Sequence, residues 1–377
     1  MKGLPSSLIA IDLGNSVLKA VRLQKKANRY NLTGVVLQPN SRAPQEQVPQ
    51  TEAELSAQIK ELVGKIRVSG ADYHFTVSST NSTVRYVELP NMPLDEVRMA
   101  LKLNSTTYLR QSFENYTFDA CPLDDDAAKA LGPKKTGKKD LAASTVHGKI
   151  KLLVSGIATE EVARLFQASR QAGLRPRSLQ LTPISLINAF EGACPEIHKT
   201  QAVAVMDMGF SSSSLTIMDQ GRPLLTRMVS IGGRHLTEYM AQNSGMDFAR
   251  AEAAKLQGDP GLAEAVARIC VPLIREVRSS INFFEKNSEQ VISKVYLSGG
   301  TACSPMMVES LSNEMGLPCE VWDGAGGLQV ELPPEQQGVL SKNIPMFTAV
   351  LGLARTVIGT AESVAAPPAP AAVEKAA

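Results

Sequence analysis

At 377 residues the chain exceeds what one hydrophobic core usually serves, which excludes a single small domain and predicts at least two lobes. Apolar residues at 44% and charged residues at 20% exclude a disordered, fibrous or membrane-embedded chain. Lysine plus arginine (39) nearly balances aspartate plus glutamate (37), so no overall field gathers nucleic acid and no nucleic-acid partner is expected.

In chain order, Met1 to Ser7 carries no signal-peptide pattern and leads into Leu8 to Gly14, a branched apolar run ending in Asp12-Leu13-Gly14. Val17 to Leu23 follows as a second strand, giving a hairpin with an acidic tip. Thr51 to Ile66 has helical spacing, Tyr73 to Val77 alternates like a strand, and Asp95 to Leu109 again has helical spacing. Asp124 to Gly148 mixes acidic and lysine clusters with glycine and proline, and reads as a mobile loop. Ile150 to Ile157 resumes as a strand, Glu160 to Ala172 is an amphipathic helix stopped by Gly173, and Leu179 to Phe190 leads into a second hairpin.

That hairpin repeats the first: Val203 to Gly209 ends in Asp207-Met208-Gly209, then come Ser211 to Ser214 and a strand from Leu215 to Met218. Helices are expected at Leu236 to Asn243, Phe248 to Leu256 and Leu262 to Lys286, then a strand from Lys294 to Leu297. Ser298-Gly299-Gly300-Thr301 follows, with Ser304 as N-cap and Pro305 as first residue of a helix to Met315. The end of the chain, rich in alanine and proline, is expected to be disordered. The five cysteines are scattered without a C-x-x-C pair, as in reduced thiols used for packing, and the four histidines have no metal-ligand spacing.

A tight glycine turn exposes backbone amides to an anion without a Cβ in the way. Asp12 to Ser16 (with Gly14, Asn15 and Ser16) and Asp207 to Ser212 (with Gly209, Ser211 and Ser212) have that form, and Lys19 supplies a cation to terminal phosphates. Asp12 and Asp207 are hard oxygen ligands suited to magnesium through its waters. A single Asp-x-Gly is ordinary hairpin chemistry; the repeat, Lys19 and the later Gly299-Gly300-Thr301 turn together point to a nucleotide cleft.

These motifs, in this order, resemble the superfamily of actin, sugar kinases and heat-shock chaperones. Within it the chain is similar to the PilM family of type IV pilus assembly proteins, relatives of the cell-division protein FtsA. Further segments carry the likeness: Arg227 to Leu236 with Gly232-Gly233, Ala251 to Lys255, Phe347 to Ala354 with Gly352, and Leu89-Pro90 before a helix and Phe118-Asp119. The resemblance spans Ile9 to Arg355 and implies an α/β, actin-like (ribonuclease H-like) two-lobed ATPase fold with an inserted subdomain of the FtsA and PilM type. Residues 1–89 and 178–200 would form lobe I, 90–177 the insertion, 201–360 lobe II, and 361–377 a disordered tail. It implies ATP and Mg2+ as cofactors, Gly232 and Gly233 lining the cleft, and Glu252 and Lys255 reaching ribose and adenine; an exposed helical ion pair is the plainer account of those two.

The likeness also implies a groove for the cytoplasmic tail of a PilN-like single-pass inner-membrane protein, with the pilus motor ATPases and self-association as further candidate contacts. The chain would be cytoplasmic, held at the inner membrane through its partners, with slow or absent hydrolysis. Gln180 is the candidate water-orienting residue. Two departures stand out: Tyr108-Leu109 lacks the proline such chains tend to carry after a tyrosine, and the second turn is rich in serine. A sugar kinase is the enzymatic alternative and needs a carboxylate base, for which Asp119 and Glu88 are candidates. An FtsA-like filament protein would need an amphipathic basic C-terminus, which Ala361 to Ala377 does not offer.

Overall fold

The computed structural model describes residues 7–26, 29–41, 50–68, 70–123 and 148–365. The loop expected before Gly148 lies outside the described residues; of the tail expected over 361–377, residues 361–365 are helical and 366–377 lie outside.

Strands β1 (Ser7–Leu13) and β2 (Val17–Lys26) form the first hairpin, with Asp12 opposite Lys19, and β3 (Arg29–Pro39) pairs antiparallel with β2. Helix α1 (Glu52–Ile66) starts at a Thr51–Glu54 capping box. β4 (Asp72–Val77) runs parallel to β1, and β5 (Ser82–Pro90) leaves for another sheet. The helix expected over 95–109 is two, α2 (Leu94–Leu103) and α3 (Ser105–Leu109). Asn104 breaks it because its side chain accepts from the Thr107 amide and caps the second piece. β6 (Tyr116–Pro122), β7 (Lys149–Ala158), α4 (Thr159–Gln171), β8 (Pro176–Leu181), α5 (Thr182–Ala193) and α6 (Pro195–Thr200) follow.

The second hairpin is β9 (Ala202–Met208) and β10 (Ser213–Asp219), extended by β11 (Arg222–Val229). After α7 (Gly233–Ser244) and α8 (Phe248–Gln257), the single helix expected to Lys286 is divided into α9 (Gly261–Ile269) and α10 (Val271–Lys286). Pro272 accounts for the division, since a proline can open a helix but not continue one. β12 (Val295–Ser298) leads through one 3-10 turn into α11 (Pro305–Met315). Ser304 stands at its N-cap, but its hydroxyl makes no capping bond. β13 (Cys319–Val321), β14 (Gln329–Val330), α12 (Pro334–Lys342) and α13 (Ile344–Ala365) complete the described chain.

Three sheets result, in the orders β14-β3-β2-β1-β4-β8, β11-β10-β9-β12-β13 and β5-β7-β6. Strand alternation explains how both large sheets are covered on two faces. Leu8 and Ala10 pack with Phe347, Val350 and Leu351 of α13, whereas Ile9 and Ile11 pack with Ile59 and Leu62 of α1. In β9, Ala204 and Met206 face the cluster that includes Leu236 of α7 and Leu273 of α10, while Val203 and Val205 face Leu186 and Phe190 of α5. Helices α5 and α13 pack closely against each other between the two sheets. The small sheet has its own core of Leu89, Val97, Leu101, Leu109, Phe118 and Leu152, so the Leu109 that follows Tyr108 is a packing residue. This sheet touches the five-stranded sheet through β5 and β11, where the Tyr86 hydroxyl lies 3.3 Å from Thr226 Oγ1. No cysteine of the chain is in a disulfide; Cys270 is buried as expected, but Cys121 is exposed.

His74 on β4 yields a prediction. Its Nδ1 lies 2.8 Å from Ser178 Oγ, its Nε2 is buried without a partner, and burial pushes its pKa down to about 4 against the pull of Asp72. Between pH 6.5 and 4 the unfolded chain takes a proton that the folded chain refuses, so stability falls as pH drops through that window, by about 2 to 3 kcal/mol. His74→Asn should keep a partner for Ser178 and flatten the slope. Urea midpoints of both proteins at pH 7.5 and 4.5 check this; parallel losses would assign the acid sensitivity elsewhere.

Candidate functional site

The two hairpin turns and the β12 turn converge on a cavity of about 230 Å³. Each is tight enough to need glycine. A Cβ on Gly14 would lie 2.4 Å from the Val17 carbonyl oxygen, one on Gly209 2.9 Å from that of Ser212, and one on Gly299 2.4 Å from that of Met208. The first two turns touch where Asn15 Nδ2 donates to Ser211 Oγ at 2.9 Å, and Ser78, just past β4, has its Oγ 3.4 Å from Ser212 Oγ. Asp12, Gly14, Asn15, Ser16 and Lys19 line one side, with Asp207, Gly209, Ser211 and Ser212 opposite and Glu252, Lys255, Gly299, Gly300 and Thr301 completing the wall. Gly232 and Gly233 are not in the lining. They stand behind the second turn, where the Gly233 amide donates to the Gly209 carbonyl at 3.0 Å and a Cβ on Gly233 would strike Thr301 Oγ1.

The cavity gathers charge. Lys19 Nζ pairs with Asp12 Oδ2 at 2.8 Å, a contact set by their cross-strand register. Asp207 is buried, and desolvation pushes its pKa up to about 6, with Asp12 adding to the rise; Lys19 and a 3.1 Å bond from Ser298 Oγ oppose it. Two carboxylates in one walled space favour a cation between them. Among the described residues, no group of three histidine, cysteine or acidic side chains could hold a metal by itself.

The family model for type IV pilus assembly protein PilM matches residues 10–357. The chain belongs to that family. Among solved structures it is similar to a PilM-PilN type IV pilus biogenesis complex, at 23% identity over 93% of this chain and 98% of that one, with a TM-score of 0.74. More distant likenesses include EutJ from Carboxydothermus hydrogenoformans (14% identity, 93% and 90% of the chains, TM-score 0.49). MreB5 of Spiroplasma citri bound to ADP is another (10% identity, 96% and 99%, TM-score 0.48). The fold is actin-like, and the protein is a PilM-type component of type IV pilus assembly.

In this PilM-family chain Lys255 and Glu252 are not the exposed helical pair that the sequence also allowed. Lys255 is 3% exposed, and its ammonium donates to Glu252 Oε2 at 2.6 Å, Thr237 Oγ1 at 2.9 Å and the Gly233 carbonyl at 3.1 Å. All three ammonium hydrogens are therefore engaged, and burial lowers the lysine's pKa while Glu252 opposes it. Lys255 ties α8 to the glycine turn, leaving Glu252 as the more accessible of the pair.

Gln180 is turned away from the lining: its Oε1 accepts from Ser185 Oγ at 2.8 Å and Thr356 Oγ1 at 3.3 Å. Asp119 accepts from Arg98 on the surface, and Glu88 is exposed on β5, so neither kinase-base candidate reaches the cavity. Sequence reasoning passed over Ser78, Thr182, Phe210, Leu256, Met346 and Ala349, which also line it. Ser78 and Thr182 follow strand ends and could have been found by asking what succeeds β4 and β8; Met346 and Ala349 sit in an apolar helix with no local signal. Among the described residues no helix is long and apolar enough to cross a membrane.

Proposed function

We propose that the cavity binds ATP with magnesium, and that the chain works as a cytoplasmic pilus-assembly component holding the tail of a PilN-like inner-membrane protein. The observation that carries the nucleotide reading is the pair of glycine turns, joined by Asn15 and Ser211, each following a buried aspartate. The donor set fits the ligand: two backbone cradles that a Cβ would fill, serine hydroxyls and Lys19 for phosphates, and two carboxylates for a hard cation. Gly14, Asn15 and Ser16 would hold one side of the phosphate chain, Gly209, Ser211 and Ser212 the other. Asp12 and Asp207 would meet magnesium through its waters, and magnesium when bound neutralises phosphate charge. Glu252 would take the ribose, with Gly300, Thr301 and Met346 against the base; Gly232 and Gly233 shape that wall from behind, and Lys255 holds Glu252 in place.

Family membership and the likeness to a PilM-PilN complex support a PilN-like partner, and with it residence at the inner membrane through protein contacts. The small β5-β7-β6 sheet falls, apart from β5, within the expected insertion of residues 90–177, and its separate core supports placing the tail's groove there. The pilus motor ATPases and self-association are further contacts of this reading. ATP acts as a structural or switching ligand, since Gln180 is engaged elsewhere.

Calorimetric titration of nucleotide-free protein with magnesium and ATP, beside Asp12→Ala, tests the reading. Wild type should bind, and the variant should lose tenfold or more, because it removes a metal-facing carboxylate and the partner that positions Lys19. A folded wild type that binds no nucleotide would leave a purely structural scaffold.

A further inference from the structure

Three parallel strands of the first sheet end at the cavity in one register: Asp12 lies opposite Thr76, Thr76 opposite Gln180, and Val77 opposite Leu181. The residues just past those ends, Gly14, Ser78 and Thr182, all line the cavity. Carboxyl ends of parallel strands are where open sheets of this kind receive ligands. Thr182 thus belongs to the row of the first turn, beside Asp12 and Ser78.

Helix α5 also begins at Thr182. It is a twelve-residue helix, no side chain caps its start, and Pro183 supplies no amide there. Its positive end therefore faces the cavity without a capping group of its own. A second observation points to a ligand: Thr182 is 4% exposed, and its Oγ1 is buried without a hydrogen-bond partner. Nearby polar groups are engaged with one another, since Ser185 Oγ donates to Gln180 and lies 3.0 Å from Thr76 Oγ1. Buried hydroxyls are ordinarily satisfied, and an unsatisfied one at a helix start opening on a cavity is a donor awaiting an anion.

We propose that the start of α5, with Thr182 Oγ1 as donor, is the subsite for the outermost phosphate of a nucleoside triphosphate and makes the cleft prefer triphosphate to diphosphate. The proposal rests on the nucleotide reading above and names the residue that determines which nucleotide state is held. Thr182 acts here as a binding residue, and no bond is made or broken in this role. An inorganic phosphate ion beside a bound diphosphate offers the same chemistry.

The test is calorimetry of the full chain with magnesium and either ADP or a non-hydrolysable ATP analogue, in wild type, Thr182→Val and Thr182→Ser. Valine matches threonine in shape and lacks the donor, so its thermal melting should stay at or above that of wild type. Wild type should favour the triphosphate by roughly tenfold or more, the worth of a hydrogen bond to a charged group. Thr182→Val should lose that preference with ADP affinity unchanged, and Thr182→Ser should restore it. ADP binding that tightens with millimolar inorganic phosphate in wild type, but not in Thr182→Val, supports the same subsite filled by the free ion. Equal loss for both nucleotides, or for neither, overturns the proposal while the nucleotide reading stands. A wild type that binds neither nucleotide overturns both.

Discussion

Gly299→Ala is expected to destabilise the fold by about 3 to 5 kcal/mol and to abolish nucleotide binding. Gly299 has φ +92°, in the region side chains avoid, and a Cβ there would lie 2.4 Å from the Met208 carbonyl oxygen and 2.7 Å from its amide nitrogen. Those atoms belong to β9, which is held between β10 and β12 and cannot retreat. The Gly299 amide also donates to the Pro345 carbonyl at 2.9 Å, so a displaced turn would loosen the start of α13. Gly300→Ala is the matched control: its nearest neighbour would be Met346 Cε at 3.5 Å, ordinary contact, and its φ is not positive. Urea midpoints of the two variants decide the matter; equal stability would mean that the β12 turn relaxes at little cost.

Gly352→Ala should cost about 3 kcal/mol, reversing the usual gain of up to about 1 kcal/mol from replacing a mid-helix glycine. A Cβ at this position in α13 would lie 1.8 Å from the Ser185 carbonyl oxygen and 2.9 Å from Ala189 Cβ, both on α5. The two helices would have to separate. Thr182 opens α5, while Met346 and Ala349 belong to α13, and all three line the cavity, so nucleotide affinity should fall with stability. Gly359→Ala, with nothing near its would-be Cβ, should be neutral or slightly stabilising in the same melting experiment. A Gly352 variant that melts like the Gly359 variant would refute the close approach of these helices.

What was legible in the sequence was local or repeated. Both hairpins could be read because a buried strand, Asp-x-Gly and a second strand lie within one short stretch, and the turns needed only each other to suggest a cleft. Elements whose reason lies far away escaped. β5 is one, since its partners are β7, about sixty or more positions later, and β11 of the five-stranded sheet. β14, only two residues long, is a strand because it pairs with Asn31 and Leu32 almost three hundred positions earlier. The hydrogen bonds of Lys255 and Gln180 were illegible for the same reason: their partners, Gly233 and Thr356, are brought near by the fold alone. Gly352 was noted as part of a family likeness, but its need for Ser185 at its side is visible only when α5 and α13 are seen together.

The route of the chain sets how the two large sheets can move. It passes from the first to the second once, through α5 and α6 into β9, and returns once, from β13 to β14. Two covalent crossings hold the two large sheets as two pins hold a door, so neither can drift away from the other. Across the cleft Asn15 meets Ser211 and Ser78 meets Ser212, each a single neutral hydrogen bond worth about 1 kcal/mol, whereas behind it α5 packs on α13 and the Gly299 amide donates to the Pro345 carbonyl. A ligand that touched both turns would therefore add its contacts to the edge of the door that two hydrogen bonds hold, while the hinge side keeps its packing.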